Sequence, residues 1–488
     1  MSKMFHKTSS IILMLLGLAF YVIAQNPATT SNQNKASAPN STPNPTSTSA
    51  LTPTLTSTPT PTSTSTSTPA STSTQTALAQ PSFKADTLLL DLKKAEKMFL
   101  DSNYLVLAQK YNIDAQKALI LQARLFPNPN ISLNRGPISS LPDPVTGTPT
   151  SFLHNGETQV QLSQLVLLAG KRNKQIKLAE ANEKLAEYQF FDLIRTLKYT
   201  IRSDFYNTYY LQKSLSVYAK EIKALEQIVS GFNSQQAKGY IAEKEVVRIK
   251  AQLYSFKSEY ASIQGQIKDI QGELQLLIQV KPSVFLIPQV DTAHIAQFKP
   301  TAFPITVILD SANKNRTDLL MAQENTQINK LNYNYQKSLA VPDLTISVGY
   351  DHQGSYVLDY TSLGLAIDLP FFNRNQGNIK SAKAMIDNTV ALQKSTERTV
   401  VENINRSLEK LLIQEELAKQ IDPKFASDFD RLMNEMVVNY QKRNISILDF
   451  LDFYDAYKQN ALQVNQILYN RIQAYEDLNF YSATNFFN

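Results

Sequence analysis

The sequence contains no cysteine and no tryptophan, and only four of its 488 residues are histidine. Without cysteine the chain has no disulfide, no thiolate nucleophile and no cysteine-based zinc or iron–sulfur site. The histidines (His6, His154, His294 and His352) are isolated in sequence, which argues against a histidine-rich metal site. The formal net charge of +6 is modest for this length, and the basic residues are interspersed with acidic ones, so no nucleic-acid partner is expected.

Long apolar runs are absent except at the N-terminus. There, Lys3 and Lys7 precede the run "IILMLLGLAFYVIA", and the small residues Val22 and Ala24 stand just before Gln25. This pattern predicts a signal peptide over residues 1–24, with an uncleaved anchor as the alternative. No cysteine follows it, so lipid attachment to a new N-terminal cysteine is excluded. No later run approaches the roughly 18 apolar residues of a membrane-spanning helix.

Residues 25–84 are dominated by serine, threonine and proline, as in "STPNPTSTSALTPTLTSTPT". Such a segment has too few apolar side chains to offset the entropy lost on ordering. It is therefore expected to be a disordered tether, and a glycosylated stalk is the alternative.

From about residue 85 onward the chain contains two similar halves. "PNISLNRG" corresponds to "PDLTISVGY", and "VQLSQLVLLAGKRNKQIKLAEA" corresponds to "LGLAIDLPFFNRNQGNIKSAKA". "AKGYIAEKEVVRIKAQL" likewise corresponds to "QKRNISILDFLDFYDAY". The expected organisation is a first repeat at 85–281, a linker at 282–304 and a second repeat at 305–488. The aromatic-rich tail "FYSATNFF" is either a packed end or a flexible one.

Each repeat is expected to contain one very long helix and two shorter ones. Apolar residues recur every three or four positions from Lys171 to about Gln236, which predicts a rod of roughly 100 Å. The second long segment runs from about Asn375 to Tyr440, and Pro423 should kink it or end a segment. In each repeat the combined length of the two shorter helices matches that of one long helix, as in a tall cylinder of paired helices. The shorter helices are expected at 103–123 and 242–279 in the first repeat and at 317–339 and 446–480 in the second.

Two strands are expected in each repeat, "NISLNR" with "ETQVQLSQLVL" and "LTISVGYDH" with "TSLGLAIDLPF". Their length and alternating polarity suit strands that cross a bilayer, and an ordinary soluble sheet is the alternative. Four strands are too few to close a membrane barrel, so a barrel would require several chains.

With these features the sequence resembles the TolC-type outer-membrane efflux proteins, and in "LAIDLPFFNRNQGNIKSAKA" it resembles the outer-membrane components of cobalt–zinc–cadmium efflux systems. The resemblance implies a mainly α protein with a membrane β-barrel part. A homotrimer would form a 12-stranded β-barrel in the outer membrane and an α-helical tunnel in the periplasm. It also implies a periplasmic adaptor (membrane fusion) protein and an inner-membrane pump of the RND type as partners.

The resemblance further implies where the periplasmic entrance of the tunnel lies. Tyr440, Asp449 and Asp452 would line it in the second repeat, and Glu245 is the first-repeat counterpart of Asp449. The tip turns that would contact an adaptor contain Gly239 and Tyr240 in the first repeat and Arg443 and Asn444 in the second. Because Arg443 replaces the usual glycine of this turn, Asn444 is a candidate for the residue with positive φ.

The stripe formed by Asp449, Asp452 and Asp455 admits other interpretations. A catalytic pair is disfavoured because the turn offers no histidine and no pocket, so no enzyme activity is expected. A metal cage would need ligands from several elements, so neither a cofactor nor a protein-held metal is expected. A solvated helix face is the simplest reading for Asp455. For Asp449 and Asp452, threefold symmetry would place six carboxylates around one opening and concentrate cations there.

The function predicted from the sequence is a passive exit duct of a tripartite efflux pump, with heavy-metal cations as the expected cargo. Drug efflux and type I protein secretion are alternatives within the same class. A periplasmic coiled-coil scaffold without channel activity is the alternative of another class, and the two strand pairs argue against it.

Overall fold

The computed structural model describes residues 86–135, 158–352, 357–422, 424–442 and 444–487. The predicted signal peptide and Ser/Thr/Pro-rich tether lie outside these residues, as does Arg443. The helices are α1 (Leu92–Ser102), α2 (Tyr104–Ala123), α3 (Lys171–Ala237), α4 (Glu243–Ile278), α5 (Thr292–Ile295), α6 (Ile305–Asn315), α7 (Thr317–Leu339), α8 (Gln376–Lys419), α9 (Phe425–Gln441) and α10 (Ile447–Ser482). The strands are β1 (Thr87–Leu90), β2 (Asn130–Arg135), β3 (Thr158–Val166), β4 (Phe285–Pro288), β5 (Leu344–His352) and β6 (Tyr360–Ile367).

The long helices follow the periodicity of the sequence. Helix α3 has 67 residues and is therefore about 100 Å long, as its uninterrupted apolar pattern predicted. The second long segment is divided into α8 and α9, which end at Lys419 and begin at Phe425. Pro423 lies in this interval, so the break occurs where the proline was expected to interrupt the helix.

Strands β2, β3, β5 and β6 form one antiparallel sheet in that order, so the two predicted strand pairs join through β3 and β5. In this register one face of the sheet is mainly apolar and the other is mainly polar. The apolar face contains Ile131, Leu133, Val160, Leu162, Val166, Leu344, Ile346, Val348, Tyr350, Leu363, Leu365 and Ile367, together with the polar Arg135, Thr158, Gln164, His352 and Thr361. The opposite, polar face contains Asn130, Ser132, Asn134, Gln159, Gln161, Ser163, Thr345, Ser347, Gly349, Asp351, Ser362, Gly364 and Ala366, together with Leu165 and Tyr360.

A second, parallel sheet was not predicted from the sequence. Strand β1 pairs with β4, which lies in the segment expected to be an inter-repeat linker. The core around it includes Leu90, Phe99, Phe205 and Leu286, all essentially inaccessible to solvent. The linker is therefore part of the folded body at the middle of the helices.

The C-terminal tail is docked on the folded body. The Asn479 side chain donates to the Phe487 carbonyl at 2.7 Å and accepts from the Phe487 amide at 3.1 Å. The ring of Phe487 is buried, 4.7 Å from the ring of Tyr475 and 5.6 Å from that of Phe303. Of the two readings left open for the tail, the structure thus supports packing.

Candidate functional site at the tip of the helical hairpins

The first tip turn ends α3 with two hydrogen bonds that close a Schellman motif. The Gly239 amide donates to the Gln236 carbonyl and the Tyr240 amide donates to the Gln235 carbonyl, both at 2.9 Å. Gly239 has φ +76°, a conformation that costs other residues a steric penalty. Tyr240 follows it with an exposed ring at the surface of the tip.

The second tip turn contains the equivalent long-range bond. The Asn444 amide donates to the Asn439 carbonyl at 2.9 Å, so Asn444 occupies the position of Tyr240 in the motif. Asn444 is not among the residues with positive φ, and the suggestion that it supplies the left-handed residue is therefore wrong. The position equivalent to Gly239 is that of Arg443, which lies outside the described residues.

Tyr440 lies inside the tip rather than on its surface. Its ring stacks on Phe450 with a centroid distance of 4.5 Å and packs against Phe232 at 5.1 Å. Its hydroxyl is buried and has no hydrogen-bond partner within the part of the chain that the structure describes. Burial, and next the carboxylate of Glu245, raises the pKa of Tyr440 above its ordinary value.

A cleft of about 270 Å³ separates the two tip turns. Tyr240 and Glu245 line it from the first repeat, and Tyr440 and Ser446 line it from the second. The cleft therefore brings together two residues predicted at the entrance, Glu245 and Tyr440, and one predicted at the tip, Tyr240, whereas Asp449 and Asp452 do not line it.

Asp449 has a structural role that the sequence analysis missed. It is the third residue of α10, and Ser446 is the N-cap of that helix. The Ser446 amide donates to Asp449 Oδ2 at 3.3 Å, while the Asp449 amide donates to Ser446 Oγ at 3.2 Å. This is a capping box, and serine three positions before an acidic residue was a signal that the sequence offered.

Asp452 and Asp455 differ sharply although they are one helical turn apart. Asp452 is exposed, and no hydrogen bond or ion pair of its carboxylate is found among the described residues. Asp455 forms an ion pair of 3.0 Å with Lys458, whose side chain is almost buried. Lys458 also contacts Glu259 of α4 at 3.0 Å. Asp455 thus belongs to a charge network that joins two helices.

Two further kinds of feature, metal-ligand clusters and membrane-spanning helices, are not found among the described residues. No three acidic or histidine side chains within them converge as metal ligands. No helix that the structure describes is sufficiently long and apolar to cross a membrane.

Comparison with known proteins agrees with this geometry. Residues 97–278 match the family model described as "Outer membrane efflux protein". The fold is similar to that of CusC, with a TM-score of 0.63 and 15% identity over 81% of this chain and 93% of that one. It is also similar to the Campylobacter jejuni CmeC outer membrane channel, with a TM-score of 0.63 and 16% identity over 80% and 85% of the two chains. The chain thus shares the fold of CusC and CmeC, and residues 97–278 are similar to the outer membrane efflux family.

A characterised relative points in the same direction. The chain is 22% identical over 381 residues to the "Cobalt-zinc-cadmium resistance protein CzcC" of Cupriavidus metallidurans, which covers 74% of this chain and 82% of the relative. The resemblance predicted from the sequence is thereby confirmed, and the description of the matched family agrees with the predicted outer-membrane location. The family description names a transport role and no reaction.

Proposed function

We propose that three copies of this chain form the outer-membrane exit duct of a tripartite pump that exports heavy-metal cations. The observation that carries the proposal is the two-faced sheet, in which β2 and β6 each have a neighbour on one side only. Lipid does not tolerate open strand edges, so a membrane sheet of this kind must close on further copies. Four strands from each of three chains would give a twelve-stranded barrel.

The two faces fit the outside and inside of such a barrel. The apolar face is strongly exposed in the single chain, with Leu363 and Leu365 each 69% accessible. The polar face combines small residues with asparagine and glutamine, and a Cβ at Gly349 would lie 2.8 Å from Ser362 Oγ. Apolar side chains toward lipid and polar ones toward a lumen are the arrangement of membrane barrels that conduct solutes.

A pair of arginine substitutions on opposite faces of β6 tests the barrel. Leu365→Arg places a charge on the apolar face and is expected to cost about 2–4 kcal/mol per chain near the bilayer midplane. Ser362→Arg adds the same charge to the polar face, so it should preserve assembly and change only conductance. Outer-membrane fractionation and heat-sensitive trimer migration on gels measure both variants. A soluble monomer in the wild type, or equal loss of both variants from the membrane, contradicts the proposal.

The cargo proposal rests on the similarity to CzcC and on the acidic residues of the tip. Cells that lack the chain should become sensitive to cobalt, zinc or cadmium salts, and the intact gene should restore resistance. Sensitivity to organic drugs alone, or loss of a secreted protein, would assign the duct to another cargo.

We further propose that Glu245, Tyr440, Asp449 and Asp452 form the entrance. Tyr440 and Glu245 both line the cleft between the tip turns, and the Glu245 carboxylate acts electrostatically on the buried Tyr440 hydroxyl. Of the two aspartates, Asp452 is the better position for testing cation attraction, because a substitution of Asp449 would also remove the cap of α10.

Gly239, Tyr240, Arg443 and Asn444 are proposed as the contact surface for the periplasmic adaptor. Tyr240 and Tyr254 are both 66% exposed, but Tyr254 lies several turns along α4 from the tip. A photo-cross-linking residue at position 240 should capture the adaptor in cells, and the same residue at 254 serves as the matched control. Equal capture at both positions would argue against a tip contact.

A further inference from the structure

The two junctions between sheet and long helices expose unusually large apolar side chains. Leu369, Phe371 and Phe372 follow β6, and Phe372 is 96% accessible. Leu168 follows β3 and Phe126 precedes β2, and both are also exposed. Exposed apolar side chains of this kind, next in the chain to the strands of the apolar face, mark an interaction surface.

Positive charge follows directly after this apolar surface. Residues 167–179 contain four basic and no acidic residues, and residues 369–386 contain three basic and no acidic residues. Lys171 is neutralised by Asp343 at 2.6 Å. Four other cations are exposed and have no carboxylate partner among the described residues. We call them the basic collar: Lys177, Arg374, Lys380 and Lys383.

The collar lies at a defined height along the molecule. Arg374 precedes α8, Lys380 is the fifth residue of α8, and Lys177 is the seventh of α3, which places them within about 10 Å of the helix starts. The headgroup layer of a bilayer is roughly 5–8 Å thick on each side of the hydrocarbon. Because lysine and arginine stems extend toward an interface, all four charges can reach this layer.

The two ends of the sheet differ in charge. At the end away from the helices, the described residues include Asp351 and Asp359 as well as Arg135. At the helical end the acidic residues are Asp343, which pairs with Lys171, and the exposed Asp368. Among the described residues, a basic excess is thus present at the helical end, as expected for a surface that recognises one leaflet.

We propose that the basic collar binds the phosphate groups of anionic phospholipids in the leaflet on the helical side, with the junction aromatic side chains inserted beside the acyl chains. The proposal rests on the proposed function, because only a membrane-spanning sheet brings the collar to headgroup level. Cations that faced the lumen would instead attract anions to the pore, and the experiment separates these two arrangements.

The full chain is reconstituted into vesicles of equimolar phosphatidylglycerol and phosphatidylethanolamine, and retained lipids are measured by native mass spectrometry. The wild type should retain phosphatidylglycerol in preference to phosphatidylethanolamine. The test variant combines Lys177→Gln, Arg374→Gln and Lys380→Gln. Each cation that it removes should lower the preference for phosphatidylglycerol about fivefold. High salt should weaken the preference of the wild type as well. The control removes three exposed cations from the tip, through Lys238→Gln, Lys244→Gln and Lys442→Gln.

The outcomes are distinct. A collar variant with wild-type lipid preference overturns the proposal, and so does a tip control that loses the preference equally. A collar variant that keeps its lipid preference but changes the ion selectivity of single channels places the cations in the lumen, which also overturns it. A wild-type chain that inserts without headgroup preference refutes the collar alone, whereas a chain that fails to insert refutes the proposed function.

Discussion

Asp204 of α3 should make the protein less stable at neutral pH than at mildly acidic pH. Its Oδ2 atom is buried and has no hydrogen-bond partner among the described residues. Burial, and next the carboxylate of Glu273 on α4, raises the pKa of Asp204 to about 7. Tyr469 of α10 also interacts with Asp204, and burial raises the pKa of its hydroxyl, so it is neutral in this range. Asp204→Asn removes the charge and keeps the shape of the side chain.

The sign and size of the effect follow from the two pKa values. An unfolded aspartate titrates near 4, so between about pH 4 and pH 7 the folded chain binds more protons and stability falls as pH rises. Complete desolvation would make the loss about 4 kcal/mol above pH 7 and about 1.5 kcal/mol at pH 5. Because the side chain retains some solvent contact, screening reduces these values, and we expect about 1–2 kcal/mol above pH 7 and about a third of that at pH 5.

The assay is thermal unfolding of the detergent-solubilised protein at pH 5 and pH 8, followed by circular dichroism at one fixed scan rate. Asp204→Asn should raise the unfolding temperature at both values, and more at pH 8. The exposed Asp269 on α4, changed to asparagine, is the control and should show no such difference. A gain that is equal at the two pH values, or a loss of stability at pH 8, would refute the reasoning.

Two further predictions concern the tip and the long helix. Asp452→Asn should lower cation selectivity in single-channel recordings, whereas Asp455→Asn should alter it little, because Asp455 is paired with a lysine. Equal effects of the two substitutions would show that Asp452 is only a solvent-exposed residue of the helix. Gly239→Ala should lower the free energy of unfolding by about 1–2 kcal/mol because φ of Gly239 is positive, whereas Gly231→Ala inside α3 should raise it by up to about 1 kcal/mol. Denaturant unfolding midpoints measure both changes, and an unchanged midpoint for Gly239→Ala contradicts the first prediction.

Much of the architecture could be read from periodicity. The uninterrupted three- and four-residue spacing predicted α3 to within a residue at each end, and alternation located the strands of the two-faced sheet. These elements are predictable because their signals are local and long. Strand β1 was missed because its four residues pair with β4 some two hundred positions away, and so short a strand has no distinct pattern of its own.

The candidate site was predictable in position and only partly in detail. Homologous turns placed Gly239 and Asp449 at the tip, but Tyr440 is buried because Phe232 and Phe450 reach it from other helices. Contacts of this kind join residues that are far apart in sequence, so no local pattern reveals them.

The amino-acid sequence by itself determined the length of α3 and the alternation of the strands, because each depends on residues only a few positions apart. Tertiary structure alone decided which like-charged neighbours differ in role. Asp449 caps a helix, Asp452 has no partner among the described residues, and Asp455 pairs with Lys458, which in turn reaches Glu259 on another helix. The physical reason is that the environment of a carboxylate is set by the groups that packing brings within a few ångströms of it, and most of those come from distant parts of the chain.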